Sequence, residues 1–277
     1  MLRFALLAVF AATTSAYAQA PVPAPSATPI QDNSFLVEEA YNQEGGVVQH
    51  ISTFARSAIT GTWGYSFTQE WPVSSLKHQV SYTVPVSRVD ETPGSRAGVG
   101  DILVNYRYQI VGNGTERVAI APRLSAVFPT GSSRRGLGAG GAGVQVNLPL
   151  SVVLPRSLVA HSNAGATYTA RAHDMIGETA ATMGYNASQS VIWLVHPKLN
   201  FMLEGAWNRR QEVVGPGRTA SANEVLLSPG VRAAFDLPSG LQVVPGIAVP
   251  IGLGPSRSDR YLFFYLSFEH PFAESGR

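Results

Sequence analysis

The sequence contains no cysteine. Disulfides, thiolate metal sites and thiol nucleophiles are therefore excluded, even in an oxidising compartment that would permit disulfides. Charge is also scarce: 14% of the 277 residues are Asp, Glu, Lys or Arg, and the formal net charge is +2. The Lys and Arg residues are scattered, which argues against a nucleic-acid surface. Beyond the N-terminus no apolar run reaches the length, about 18 residues, that a membrane-spanning helix needs. The six histidines show no ligand spacing and no His-x-x-x-His pair, so no metal or other cofactor is expected. No Gly-x-Ser-x-Gly elbow occurs. Glycine and proline, by contrast, number 27 and 19, too many for a helical bundle.

What is present begins with an export signal over residues 1–20. Arg3 supplies the charge, Phe4 to Ala12 the short apolar core, and Ala16-Tyr17-Ala18 a small-x-small cleavage site. No cysteine follows it, so a lipoprotein anchor is not expected. Residues 21–32 form a Pro/Ala-rich linker. A short N-terminal segment, 33–45, follows, and the stretch Gln31 to Gln43, which overlaps it, has a helix-like pattern, with Asn33 or Ser34 as cap and Glu38 and Glu39 in the early turns.

From Gly46 onward apolar and polar residues alternate with period two, the signature of strands. Ile102, Val104, Tyr106, Tyr108 and Ile110 oppose Asn105, Arg107 and Gln109. Val144, Val146, Leu148, Leu150 and Val152 oppose Gln145, Asn147 and Ser151. About twelve strands are predicted: 47–56, 61–71, 76–87, 100–111, 116–128, 142–153, 157–170, 184–195, 198–210, 223–235, 240–251 and 259–272. Many are long enough to cross a bilayer, which takes about 9–11 tilted residues, whereas soluble sandwich strands average about five or six. Tight turns at 112–114, 154–156, 196–198 and 237–240 alternate with longer polar connections at 88–99, 129–141, 171–183, 211–222 and 252–258. The short 57–60 connection breaks this order. The final strand carries Leu262, Phe264, Leu266, Phe268, His270 and Phe272 on one parity, with a tail at 273–277.

Together these features predict an all-β fold, a transmembrane antiparallel up-and-down β-barrel of about 12 strands occupying residues 33–272. Both termini lie on the short-turn side. A soluble β-sandwich gives the same alternation, but strand length, the turn–loop order and the charges within strands favour the barrel.

On a lipid face, Arg at mid-depth costs on the order of 2–4 kcal/mol. Glu70, Arg107, Arg123, Glu204 and Arg232, all opposite the apolar stripe, are therefore assigned to the lumen. They either line a pore and set its selectivity or form an ion-pair network that stiffens the interior. Arg107 and Arg123 fall on neighbouring strands and form a basic stripe. Glu38, Glu39 or Glu44 can neutralise it if the segment before the first strand folds into the lumen as a plug. His161-Ser162-Asn163 invites a hydrolase reading, but alternation sends Ser162 to the opposite face from His161 and Asn163, so no catalytic residue is assigned. Trp63, Trp71, Tyr82, Tyr106, Trp207, Phe264 and Phe268 suit interfacial girdles. Ser133-Arg134-Arg135 reads as a solvated loop.

Several strings resemble an outer-membrane family associated with the MetA pathway of phenol degradation, whose members are often called simply transporters. They are Asn33-Ser34-Phe35-Leu36-Val37-Glu38-Glu39-Ala40-Tyr41-Asn42-Gln43-Glu44, Val47-Val48-Gln49-His50, Gln69-Glu70-Trp71-Pro72, His78-Gln79 and Tyr82-Thr83-Val84-Pro85. To these are added Gly100-Asp101, Asn105-Tyr106-Arg107-Tyr108, Ala121-Pro122-Arg123-Leu124, Pro129-Thr130-Gly131 and His161-Ser162-Asn163-Ala164-Gly165. The resemblance implies an outer-membrane barrel, and the family label hints at a small-molecule solute, apolar or aromatic; a Gram-negative outer membrane, contact with its lipid and no enzymatic activity are the expectations from the residues themselves. Recognition of the C-terminal strand by the barrel-assembly machinery is the further partner expected, and no nucleic acid. A sealed structural barrel and a barrel lipid hydrolase are the alternatives.

Overall fold

A computed structural model describes residues 34–90, 94–112, 116–237 and 241–271. The export signal, the linker, the Asn113-Gly114 turn, Phe272 and the tail lie outside the described residues. Twelve strands run up and down in sequence order: β1 Val47–Ser57, β2 Trp63–Val73, β3 Ser75–Asp90, β4 Ser95–Val99 with Ile102–Tyr108, β5 Val118–Ile120 with Arg123–Phe128, β6 Gly143–Leu154, β7 Leu158–His173, β8 Thr179–His196, β9 Leu199–Gly215, β10 Arg218–Ala233, β11 Gln242–Ala248 with Ile251–Gly252, and β12 Tyr261–Pro271. Every neighbour pair is antiparallel. The sheet closes on itself where β1 pairs with β12, from Val47 against Pro271 to Ser57 against Tyr261. Closure satisfies the backbone groups internally, which a bilayer demands. Two strands are interrupted next to a proline, Pro122 in β5 and Pro250 in β11, because proline has no N–H to give the ladder.

The burial pattern is that of an inside-out protein. Leu124, Val146 and Leu148 are about half exposed, at 53%, 49% and 50%, as are Val104, Tyr106, Phe201, Leu203, Phe264 and Leu266. Polar partners of opposite parity are buried: Thr68, Glu70, Asn105, Arg107, Gln145, Asn147, His161 and Glu204. A sandwich would place these two sets the other way round. So continuous an exposed apolar surface on a barrel is a lipid-facing band. Aromatic contacts ring the end near the termini: His50 stacks on Phe268 at 4.6 Å, Trp71 meets Tyr82 at 5.5 Å and Trp193 meets Phe201 at 6.2 Å.

Two expectations are corrected. The helix-like pattern at Gln31 to Gln43 forms no helix over residues 34–43; the chain there is extended with bends. Its N–H groups find acceptors on wall side chains instead of on carbonyls four residues back, which removes the reason to coil. The connections at 88–99, 171–183 and 211–222 are largely strand. β7 to β10 run 16, 18, 17 and 16 residues, and β9 and β10 are joined by Pro216-Gly217 alone. Above the lipid band both faces of these hairpins meet a polar environment, so period-two alternation vanishes while the ladder continues. At the other end β2 and β3 are separated only by Ser74, at φ 58°. A residue there must tolerate a left-handed backbone.

Candidate functional site

The segment preceding β1 does not stay outside. Residues 34–43 enter the barrel and cross its interior near the end that carries the termini. Phe35, Val37, Glu38, Glu39, Ala40, Asn42 and Gln43 are all buried. The crossing is recorded by main-chain N–H groups, each donating to a different wall side chain. Leu36 donates to Glu204 Oε1 on β9 (2.9 Å), Glu38 to Asn163 Oδ1 on β7 (2.6 Å) and Ala40 to Ser151 Oγ on β6 (2.9 Å). Asn42 donates to Gln109 Oε1 just after β4 (3.0 Å), and Gln43 to Gln79 Oε1 on β3 (2.6 Å). Asn163 closes a two-way pair by donating Nδ2 back to the Glu38 carbonyl at 2.6 Å. Lumen-facing amides and hydroxyls thus do for the segment what a neighbouring strand does in a sheet.

Side chains fix the segment at both ends. Phe35 seats its ring against Phe263 and Tyr265, at 5.6 and 5.3 Å between centroids. Gly230 and Gly246 leave the room for it: a Cβ on Gly230 would fall 2.7 Å from the ring and one on Gly246 closer still. Ile51, Ile192, Met202 and Val244 complete this apolar end. At the other end Arg107 donates Nε to Asn42 Oδ1 (2.8 Å) and its Nη groups to the carbonyls of Glu39 and Tyr41.

Arg107 and Arg123 are direct cross-strand partners in the β4–β5 ladder. Like charges placed so destabilise a sheet unless an anion intervenes. Glu38 is that anion. Arg123 Nε donates to Glu38 Oε1 at 2.9 Å and Oε2 at 3.0 Å, Asn147 Nδ2 donates to Oε2, and Arg107 Nη1 lies 3.7 Å from Oε1. Glu39 points toward His161, with Oε1 3.3 Å from Nε2, and interacts electrostatically with Arg232 and Arg107. Burial pushes the Glu39 carboxyl well above the usual range, against the pull of those arginines. Glu44 is half-buried where the segment meets β1, and loss of solvent raises its carboxyl to about 7.

Of the wall residues singled out in the sequence, Glu70, Arg107, Arg123, Glu204 and Arg232 all sit in the lumen, at 0–7% exposure. Glu70 accepts from Gln79 Nε2 (2.7 Å) and attracts Arg107, and Arg232 lies within electrostatic reach of Glu204 and Glu39. Glu38 and Glu39 meet the basic stripe; Glu44 stays at the mouth. Sequence reasoning did not single out Ser151, Gln109, Gln79, Asn147, Gly246 or Phe35. Lumen parity flags the polar ones as lining, but which of them meet the segment depends on its path.

Ser162, as its parity requires, turns away from His161 and bonds Gln189 (2.6 Å). A different chain, Ser151–His161–Glu39, does form, with Ser151 Oγ 2.7 Å from His161 Nδ1. Its hydroxyl is fully buried and also accepts the Ala40 N–H, so it faces the segment's backbone with no room for an ester. Among the described residues no cluster of His, Asp and Glu has metal-binding geometry.

A closed barrel with an apolar exterior and a polar, segment-filled lumen has the fold of outer-membrane channels. The structure is similar to that of an outer-membrane channel from Pseudomonas putida F1, with a TM-score of 0.61 at 12% identity over 84% of this chain and 97% of that one. It is also similar to the NanC porin, with a TM-score of 0.51 at 8% identity over 79% of this chain and 98% of that one. Residues 28–251 match the model of the family described as "Putative MetA-pathway of phenol degradation", and the chain belongs to that family. No curated protein matches the sequence.

Proposed function

We propose that the protein is a non-enzymatic outer-membrane channel for small molecules, delivered by the export signal at 1–20, and that residues 34–43 are its plug. The observation that supports this most is how the segment is held. The wall contacts named above are side-chain contacts, Asn42 Nδ2 adds a bond to the Leu76 carbonyl at the start of β3 (3.0 Å), and the strands of the barrel pair with one another, so the segment can leave without opening a rung of the ladder. Behind it is a lumen lined by hydroxyl, amide and charged groups, a lining suited to polar solutes. A twelve-stranded interior is intermediate between barrels filled by side chains at about eight strands and open channels at about sixteen. In the plugged state it is closed, and release of the segment opens it.

The test is planar-bilayer conductance of the purified, folded barrel, with a liposome-swelling series of neutral solutes. Infrequent openings are expected for the native chain and frequent ones when the segment's anchors are weakened. A barrel that stays silent with the anchors removed supports the sealed structural reading instead. Phospholipid hydrolysis lost on Ser151→Ala would restore the enzyme reading.

A further inference from the structure

Resting on the channel reading above, we infer that the Arg123 pocket of the wall is a solute site for small organic carboxylates, and that Glu38 occupies it as a tethered stand-in for the solute. The pocket belongs to the barrel, not to the segment. Three wall groups hold the Arg123 guanidinium: Nη1 donates to Asn105 Oδ1 on β4 (2.9 Å) and to Ser125 Oγ on β5, and Nη2 to Gln145 Oε1 on β6 (3.0 Å). All three partners are neutral. They fix the plane of the fork and leave Nε turned to the lumen, where it meets the Glu38 carboxylate together with Asn147 Nδ2. Arg107, the cross-strand partner, approaches the same oxygen from the neighbouring strand.

When the segment withdraws, Glu38 leaves with it and the ladder that carries these groups is unaltered. What remains is a guanidinium held by neutral acceptors, a carboxamide donor beside it and a second guanidinium across the ladder. That set matches one carboxylate on a short aliphatic stem, which is what a Glu side chain presents. A solute of this class therefore competes with the plug for its own anchor, and the anion that is to be carried favours the open state by binding the vacated site.

The test uses the full-length chain and propionate, which reproduces the Glu38 side chain, with propionamide as its neutral counterpart. Three readings are taken on wild type, Glu38→Gln and Glu38→Gln/Arg123→Gln. Reversal potentials in a KCl gradient are expected to show a several-fold preference for anions in Glu38→Gln that collapses toward unity in the double variant. Propionate, and not propionamide, is expected to reduce the KCl current of Glu38→Gln by occupying the site. It is also expected to raise the melting temperature of detergent-solubilised Glu38→Gln, with no such shift in the double variant. Equal effects of propionate and propionamide, or a propionate response that survives Arg123→Gln, overturn the inference while leaving a conducting channel intact. A barrel that binds propionate through Arg123 but never conducts overturns the channel reading while the carboxylate site stands.

Discussion

Phe35 is the segment's apolar anchor, and truncating it is the most direct way to ask whether residues 34–43 come and go. Its side chain is 1% exposed, packed on Phe263 and Tyr265 in the space left by Gly230 and Gly246. Withdrawal moves that ring into water, and burial of a phenyl ring contributes about 2–3 kcal/mol. Phe35→Ala forfeits most of this in the seated state and almost nothing in the released one. The ratio of released to seated chains should therefore rise by about 30- to 150-fold, at 1.4 kcal/mol per factor of ten. The assay is single-channel open fraction, paired with the rate at which a cysteine placed at Ala40 reacts with a membrane-impermeant maleimide. The native chain has no cysteine to confuse that measurement. Gly246→Leu attacks the same contact from the wall and should act in the same direction. If both variants fold with native strand content and neither open fraction nor labelling moves, the segment is a permanent part of the core.

Three further outcomes follow from the same geometry. Ala40 N–H lies 2.9 Å from Ser151 Oγ, so Ala40→Cys/Ser151→Cys should cross-link on oxidation and close the channel until a reductant is added; no cross-link in the folded barrel would contradict the described path. Glu44 titrates near 7 when seated, raised by burial above its ordinary 4.5. Its neutral form therefore suits the seated state, and the contribution is full below the unperturbed pKa and lost as pH rises through the seated one. Openings should increase from pH 5 to pH 8 and Glu44→Gln should flatten the trend, whereas closure on raising the pH would refute the assignment. Leu148 faces lipid at mid-strand; Leu148→Arg should cost on the order of 2–4 kcal/mol in refolding into vesicles, and an unchanged midpoint would mean that this face is not in the bilayer.

The strand count and the inward or outward sense of each side chain were legible because lipid outside and polar groups inside impose opposite demands on alternate residues. Val146 and Asn147 illustrate this: adjacent in sequence, one half exposed and the other buried against Glu38. That signal ends where the lipid ends, and so the upper hairpins of β7 to β10 read as loops. That the segment before β1 could fold into the lumen was legible from charge: Arg107 and Arg123 on adjacent strands call for an anion, and Glu38 and Glu39 stand just before β1. The segment's conformation was not legible. Its Glu-rich pattern suits the first turn of a helix, and nothing local reveals that Asn163, Ser151 and Gln109, contributed by three different parts of the chain, supply the acceptors instead. The Phe35 cradle was hidden for a related reason. Gly230 and Gly246 lie 16 residues apart in sequence and act through the absence of a side chain.

The manner in which the segment is held follows from closure itself. In an open sheet an extended chain adds to an edge, with main chain bonded to main chain, and its departure costs a row of ladder bonds. Here β1 pairs with β12 and no edge is left. An extended chain inside the barrel meets the wall chiefly through side chains, although Asn42 Nδ2 also donates to the Leu76 carbonyl at the start of β3 (3.0 Å), and two kinds of polar wall side chain matter most for how it is held. Neutral groups such as Asn163, Ser151 and Gln109 bond its backbone and are indifferent to its sequence. Arg123, with Arg107 beside it, binds a carboxylate and is indifferent to whose carboxylate it is. The first kind makes the lumen able to hold a peptide at all. The second ties that hold to charge, so an anion arriving from solution can take over the contact on which closure depends.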